Sequence, residues 1–250
     1  MTEPIQAEIS GRVAIFQGKG VPFEIRSFDV RALQPGEVLV KNTYTTICGS
    51  DVHTYCGRRQ EPSKVVLGHE IVGEIIAIDP AHPGVDYRGA AIQPGDRITW
   101  AIFTAPAGAE APRQDLPQKS KGLFKYGHVL AEGDHVFSGG LADYCILRPN
   151  AALIRLQAAV PDQVAATISC AHATVAGALR IAGDILGKKV LVFGAGLLGL
   201  SCLAMCREKG AAWSGLVDKQ ASRLRWGTAF SADAVYEMPY EQSPVVPWPE

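Results

Sequence analysis

Lys189-Val190-Leu191-Val192-Phe193-Gly194-Ala195-Gly196-Leu197-Leu198-Gly199 decides how this chain is read. After Lys189, the residues Val190 to Phe193 form an apolar run that suits a strand, and the spacing from Leu197 onward suits a helix. Between them lies G-x-G-x-x-G. In that setting Gly194 permits the tight turn, Gly196 lets the backbone approach a pyrophosphate, and Gly199 lets the helix pack on the strand. The phosphates would sit at the helix N-terminus, where unpaired N–H groups and the helix dipole favour negative charge.

Downstream, a helix over 197–209, a strand over 213–217, a helix over 221–230 and a short strand over 234–236 continue a βαβαβ rhythm. That rhythm predicts a partial, doubly wound parallel sheet. Asp218 closes the second strand, where its carboxylate can accept hydrogen bonds from ribose hydroxyls and repel a 2′-phosphate, so NAD is expected over NADP. Upstream, residues 12–16, 37–44, 71–78, 96–100 and 141–147 read as short strands. Pro35-Gly36, Pro83-Gly84, Pro94-Gly95 and Gly139-Gly140 are turn signals between them. An α/β chain follows, with a mostly β domain over 1–160, half of a dinucleotide-binding domain over 161–238 and an irregular proline-rich tail over 239–250. A helix is expected over 163–182, introduced by Pro161-Asp162, and an irregular lobe over 104–118.

Composition bounds the partners. The 24 Lys plus Arg balance 25 Asp plus Glu, for a formal charge of -1, which gives no field for nucleic acid or anionic lipid. The N-terminus has no basic stretch followed by an apolar run, so no secretory signal is read and a cytoplasmic address is expected. The uncharged stretch 190–206 falls short of a membrane span and contains the glycine turn, so no membrane is expected. The six cysteines lack the density of a disulfide scaffold, and reduced thiols or metal ligands are expected.

A second constellation is Cys48-Gly49-Ser50-Asp51-Val52-His53, followed by Gly68-His69-Glu70-Ile71-Val72-Gly73, with Cys170 further on. Taken singly, Cys48 reads as a small buried hydrophobe and His69 as a hydrogen-bonded core histidine. In order, CGSDVH, GHEIVGE, GGLADY, SCAHAT and GAGLLG resemble the zinc-containing medium-chain alcohol dehydrogenases, over most of the chain from Arg12 to about Met238. The resemblance implies a GroES-like catalytic domain and a Rossmann domain. On its pattern Cys48, His69 and Cys170 would hold one catalytic zinc with a position left open. Glu70 would stand near the metal, and Asp51 would orient the zinc-binding histidine.

The family chemistry is hydride transfer between an alcohol and NAD, with aldehyde as the other partner. An alcohol is a poor hydride donor until its hydroxyl loses a proton, and zinc lowers the pKa of that hydroxyl. Ser50 and His53 fall on the family's proton relay, Thr174 on a position facing the nicotinamide, and Arg223 on a basic residue near the adenosine ribose. The chain departs from the family at Gly49, where the alcohol-oxidising branch often has a basic residue. It also departs at Pro106, Ala109, Pro112 and Ser120, which replace the cysteines of a structural zinc, so no structural zinc is expected. The family sheet continues beyond the point where this sequence stops. The nicotinamide-side wall and the usual dimer surface would then be missing, and strand 189–193 would be an uncovered edge.

Residues 116–128 and 141–145 further resemble the phosphonate-catabolism-associated branch of the family. The alternative to an active enzyme is a truncated homologue serving as a binding or interaction module. A zinc-free quinone reductase is disfavoured by the joint presence of Cys48, His69 and Cys170.

Overall fold

The computed structural model describes residues 9–106, 108–109 and 116–238. The expected tail over 239–250, and Pro112 with most of its neighbours in the lobe, lie outside the described residues. The chain divides into two compact units, Met1–Cys170 and Ala171–Glu250.

In chain order the first unit runs β1 (Ser10–Phe16), β2 (Glu24–Asp29), β3 (Val38–Thr46), α1 (Gly49–Tyr55), β4 (Val65–Val66), β5 (Glu70–Ile78), β6 (Arg97–Trp100), β7 (Phe103–Thr104), β8 (Phe124–Lys125), β9 (Tyr144–Leu147), β10 (Leu153–Arg155) and α2 (Asp162–Thr167). Five strands form an antiparallel sheet in the order β10-β6-β5-β3-β9, and β2-β1-β4 form a second sheet. The apolar and β-branched residues that predict these strands also build their core. Val38, Val40, Ile71, Ile75, Ile98, Cys145 and Leu147 pack into one cluster with Trp100 and Tyr126. Val13, Ile15, Leu39 and Val66 form another with Phe137.

Six elements of this unit, β2, β4, β7, β8, β10 and α1, escape the sequence pattern, and two of them show why. Strand β2 is exposed along nearly all its length, so no apolar face marks it, and its pairing with β1 is what makes it a strand. Helix α1 is only seven residues long and begins inside the CGSDVH motif. The expected helix over 163–182 is present but not uniform, because α2 passes through a π-helical turn at Ile168–His172 before continuing. By length and composition Asp162–Ala182 could cross a bilayer. Here Ala165 and Ala166 are instead buried against Val72 of β5.

The second unit comprises α3 (Ala173–Ala182), β11 (Lys189–Phe193), α4 (Leu197–Glu208), β12 (Trp213–Asp218), α5 (Ala221–Leu224) and β13 (Ala234–Glu237). The three strands are parallel in the order β11-β12-β13, with Val192 beside Leu216 and Val217 beside Tyr236. Strand β11 is thus an edge among the described residues, and Phe193 is 62% exposed on it. The apolar stretch 190–206 is shared between β11, the glycine turn and α4. The helix expected over 221–230 is instead α5 followed by a 3-10 turn at Thr228–Phe230. A Cβ on Gly227, between the two, would meet Val235 and the Leu224 carbonyl, so the linking residue has no room for a side chain.

The turn from β11 into α4 depends on Gly194, whose φ of 100° is left-handed, and on Gly199. A Cβ on Gly199 would collide with the Gly194 carbonyl, whereas one on Gly196 meets nothing within 4 Å. Gly199→Ala should therefore destabilise the chain by about 2 kcal/mol. Gly196→Ser, which supplies a good N-cap, should change stability by less than about 1 kcal/mol. Urea denaturation of the two variants checks this, and equal midpoints would refute it.

Candidate functional site

Strands β3 and β5 are antiparallel neighbours with Thr46 opposite Glu70, so the chain leaving β3 and the chain entering β5 meet at one end of the sheet. Cys48 lies just past the first and His69 just before the second. Asp51, in the first turn of α1, links them: its Oδ2 accepts a hydrogen bond from the Cys48 backbone N–H at 3.0 Å. Its Oδ1 faces His69 Nδ1 at 3.4 Å. With Nδ1 turned to Asp51, Nε2 is the nitrogen free to bind a metal. The Thr46 hydroxyl donates to the Glu70 carboxylate at 2.6 Å.

The π-helical turn delivers the fourth member. A π turn widens the helix and re-aims the side chains on it. Here it holds Cys170, while the neighbouring Ser169 hydroxyl donates to the His69 carbonyl at 3.1 Å. Donor atoms of Cys48, His69, Glu70 and Cys170 consequently all lie within 4.8 Å of one another. The sulfurs of Cys48 and Cys170 are 3.8 Å apart. Two thiolates bound to one tetrahedral zinc at ~2.3 Å each stand roughly 3.8 Å apart. That spacing, with a donor set of two sulfurs and one imidazole nitrogen, suits the metal.

Glycines bring the backbone close enough for this. The Gly68 carbonyl accepts from the Gly140 N–H at 2.8 Å, and the Leu67 carbonyl from the Leu141 N–H at 2.9 Å. A Cβ on Gly139 would strike the Val66 carbonyl.

Residues 34–158 match the alcohol dehydrogenase GroES-like domain family. The chain belongs to that family. It is 29% identical over 220 residues to an L-threonine 3-dehydrogenase of Aeromonas hydrophila subsp. hydrophila, covering 86% of this chain and 59% of the relative. Among solved structures it is similar to an alcohol dehydrogenase from Thermotoga maritima, with TM-score 0.83 and 23% identity, over 92% of this chain and 63% of that one. It is also similar to an alcohol dehydrogenase from Thermus sp. ATN1, with TM-score 0.77 and 25% identity, over 94% and 64%. The chain thus spans little more than half the length of the curated relatives it matches.

In this GroES-like unit the other motif residues lie close by. Ser50 is half-buried and interacts with the Cys48 thiol through side chain and backbone. His53 is exposed on the same helix, and its carbonyl accepts from the Arg58 and Arg59 N–H groups. Several residues escape the motif reading: Thr46, Ser169, and a buried pair formed by His128 and Glu61 at 3.2 Å. Ser169 stands within the SCAHAT segment and His128 at the end of LPQKSKGLFKYGH, but only the tertiary contacts show what they touch.

The nucleotide-motif residues gather separately in the second unit. Asp218 accepts from the Ala195 N–H at 2.6 Å and from the Gln220 N–H at 2.8 Å. These bonds, the Ala195 bond foremost, and the nearby Arg223 hold its carboxyl below the ordinary value. Gly194, Gly196 and Gly199 form the turn beneath it. Thr174 is exposed in the first turn of α3.

The protonation states of the tetrad follow from its crowding. The Cys48 thiol is drawn down to about 3 by hydrogen bonds from Cys170 and then His69. Cys170 is pushed up by the same bond and by burial. Burial opposes charge on His69, but its bonds to Asp51 and Cys48 prevail and raise it to about 9. Burial also raises Glu70. These directions favour a thiolate at Cys48, a retained proton on His69 and a thiol at Cys170.

Zinc requires two thiolates and a neutral imidazole, so binding at pH 7 should expel about two protons, from His69 and Cys170. Apparent affinity should rise with pH between 6 and 8 by roughly a hundredfold per unit. Calorimetry in buffers of different ionisation enthalpy counts the protons; release of none would contradict this charge distribution.

Proposed function

We propose that this chain carries the zinc and nucleotide sites of a dehydrogenase that moves a hydride between an alcohol and NAD, with aldehyde as the other partner. The 3.8 Å separation of the Cys48 and Cys170 sulfurs, beside His69, is the observation that supports this reading best. Cys48, His69 and Cys170 would be the zinc ligands, with Glu70 within reach of the same ion. One such zinc is expected per chain and no structural zinc. The ion would supply the electrophile that acidifies an alcohol hydroxyl.

The protein's own groups account for the remainder. Asp51 fixes the ring of His69. Ser50, against Cys48, would take the hydroxyl proton and His53, exposed at the same helix, would pass it to water. Gly194, Gly196 and Gly199 would cradle a pyrophosphate at the start of α4. Asp218, with Arg223 beside it, would bind the adenosine ribose and disfavour a 2′-phosphate, so NAD is preferred to NADP. Thr174 would face the nicotinamide. Similarity to an L-threonine 3-dehydrogenase makes small hydroxy compounds the first substrates to try. With this near-neutral charge, neither nucleic acid nor membrane is expected as a partner.

Purified protein should contain about one zinc per chain, and Cys170→Ser should lose most of it. Alcohol-dependent NADH formation should exceed NADPH formation at least about tenfold, and Asp218→Ser should narrow that ratio. A folded, zinc-loaded chain that turns over no alcohol with either nucleotide would defeat the proposal.

A further inference from the structure

Helix α4 carries a second set of sulfur ligands, in the other unit from the tetrad. Cys202, Met205 and Cys206 stand at i, i+3 and i+4 along it and so share one face. Their side chains enter one cluster. Cys206 is fully buried beside Val175, Leu179 and Ala211, and Cys202 and Met205 are half-buried against it. The Cys202 and Cys206 sulfurs are 3.9 Å apart.

The helix itself keeps this pair from oxidising to a disulfide. One helical turn separates their Cβ atoms by about 5–6 Å, whereas a disulfide needs ~3.8 Å. The thiols cannot join without unwinding α4, yet they are close enough to close on one ion. The ligand set is entirely soft. Among the described residues, the one group of three or more histidine, cysteine and carboxylate donors is the tetrad, so neither a histidine nor a carboxylate completes four-coordination on α4. Zinc, which takes four ligands in structural sites, is poorly served here. Copper(I) selects thiolate and thioether sulfur and needs no full tetrahedral set. Metal–sulfur bonds of ~2.3 Å in a trigonal plane set sulfurs about 4 Å apart, close to the spacing of this pair. Burial, and then the neighbouring Cys202, push the Cys206 thiol up to about 12. It is thus a neutral thiol near pH 7 and must release its proton on binding.

We propose that Cys202 and Cys206, with the Met205 thioether beside them, form a binding site for one copper(I) ion, separate from the zinc tetrad. The site stands independently of the dehydrogenase reading. Two sulfur–copper bonds form, two S–H bonds break and both protons leave to solvent. Nothing is oxidised or reduced.

The purified full chain, first saturated with zinc, is titrated anaerobically with copper(I) held in bicinchoninate, and both metals are counted. The unmodified protein should take up about one copper(I) per chain while keeping its zinc. Cys202→Ser replaces the half-buried thiol and leaves Cys206 in the core; it should weaken copper(I) uptake at least about tenfold. Met205→Leu, close in volume, should weaken it about threefold or more. Affinity in the unmodified protein should rise between pH 6 and pH 8, as the lost protons require. Equal uptake by Cys202→Ser and the unmodified protein would overturn the proposal. So would copper bound only as an equal amount of zinc is lost, which would place the ion at the tetrad. Should Cys202→Ser not fold, Met205→Leu decides alone, and unchanged affinity there rejects the site.

Discussion

One carboxylate sets the geometry of the first unit's polar centre. Asp51 is 6% exposed, and each of its oxygens serves a different strand-end: one holds the backbone where Cys48 begins α1, the other faces the ring of His69. A buried carboxylate is costly unless its charge is compensated. Here the compensation and the architecture are the same contacts, because the groups that neutralise Asp51 are those it must place. Loss of this side chain would free the α1 entry and His69 together.

Around that anchor the site is closed by groups that come from far apart in the sequence. Ser169 ties the π turn to the His69 carbonyl, Thr46 restrains Glu70, and His128 lies against the His69 ring. Without a cation this assembly crowds two sulfurs and a carboxylate around one imidazole. The opposed shifts of Cys48 and Cys170 express that conflict. A divalent ion would resolve it, and the free energy of binding would then be available to the folded state.

Much of this was legible from residue order. The apolar or β-branched runs of β1, β3, β5 and β6 mark strands whose side chains are largely buried, and the short apolar run of β11 marks a strand although only Val192 in it is buried. The glycine turn is legible because its backbone demands are local. Strand β2 was not, since nearly all its side chains face solvent and only pairing defines it. Nor was the π turn, whose register depends on what Ser169 reaches across the fold. Cys48, His69, Glu70 and Cys170 could be named from their motifs, but their convergence within 4.8 Å is a tertiary fact. The pairing of Glu61 with His128 carries no periodicity at all, so nothing in their spacing announces it.

The close approach at Gly68 and Gly139 has a genetic consequence. Every missense change in a glycine codon adds a Cβ, and at Gly139 that atom would meet the Val66 carbonyl, at Gly68 the Gly140 backbone. There is thus no conservative neighbour in codon space for either position. Inherited variation that retunes the polar centre must enter through side chains around these glycines, and random mutagenesis libraries should return the two positions unchanged among folded clones.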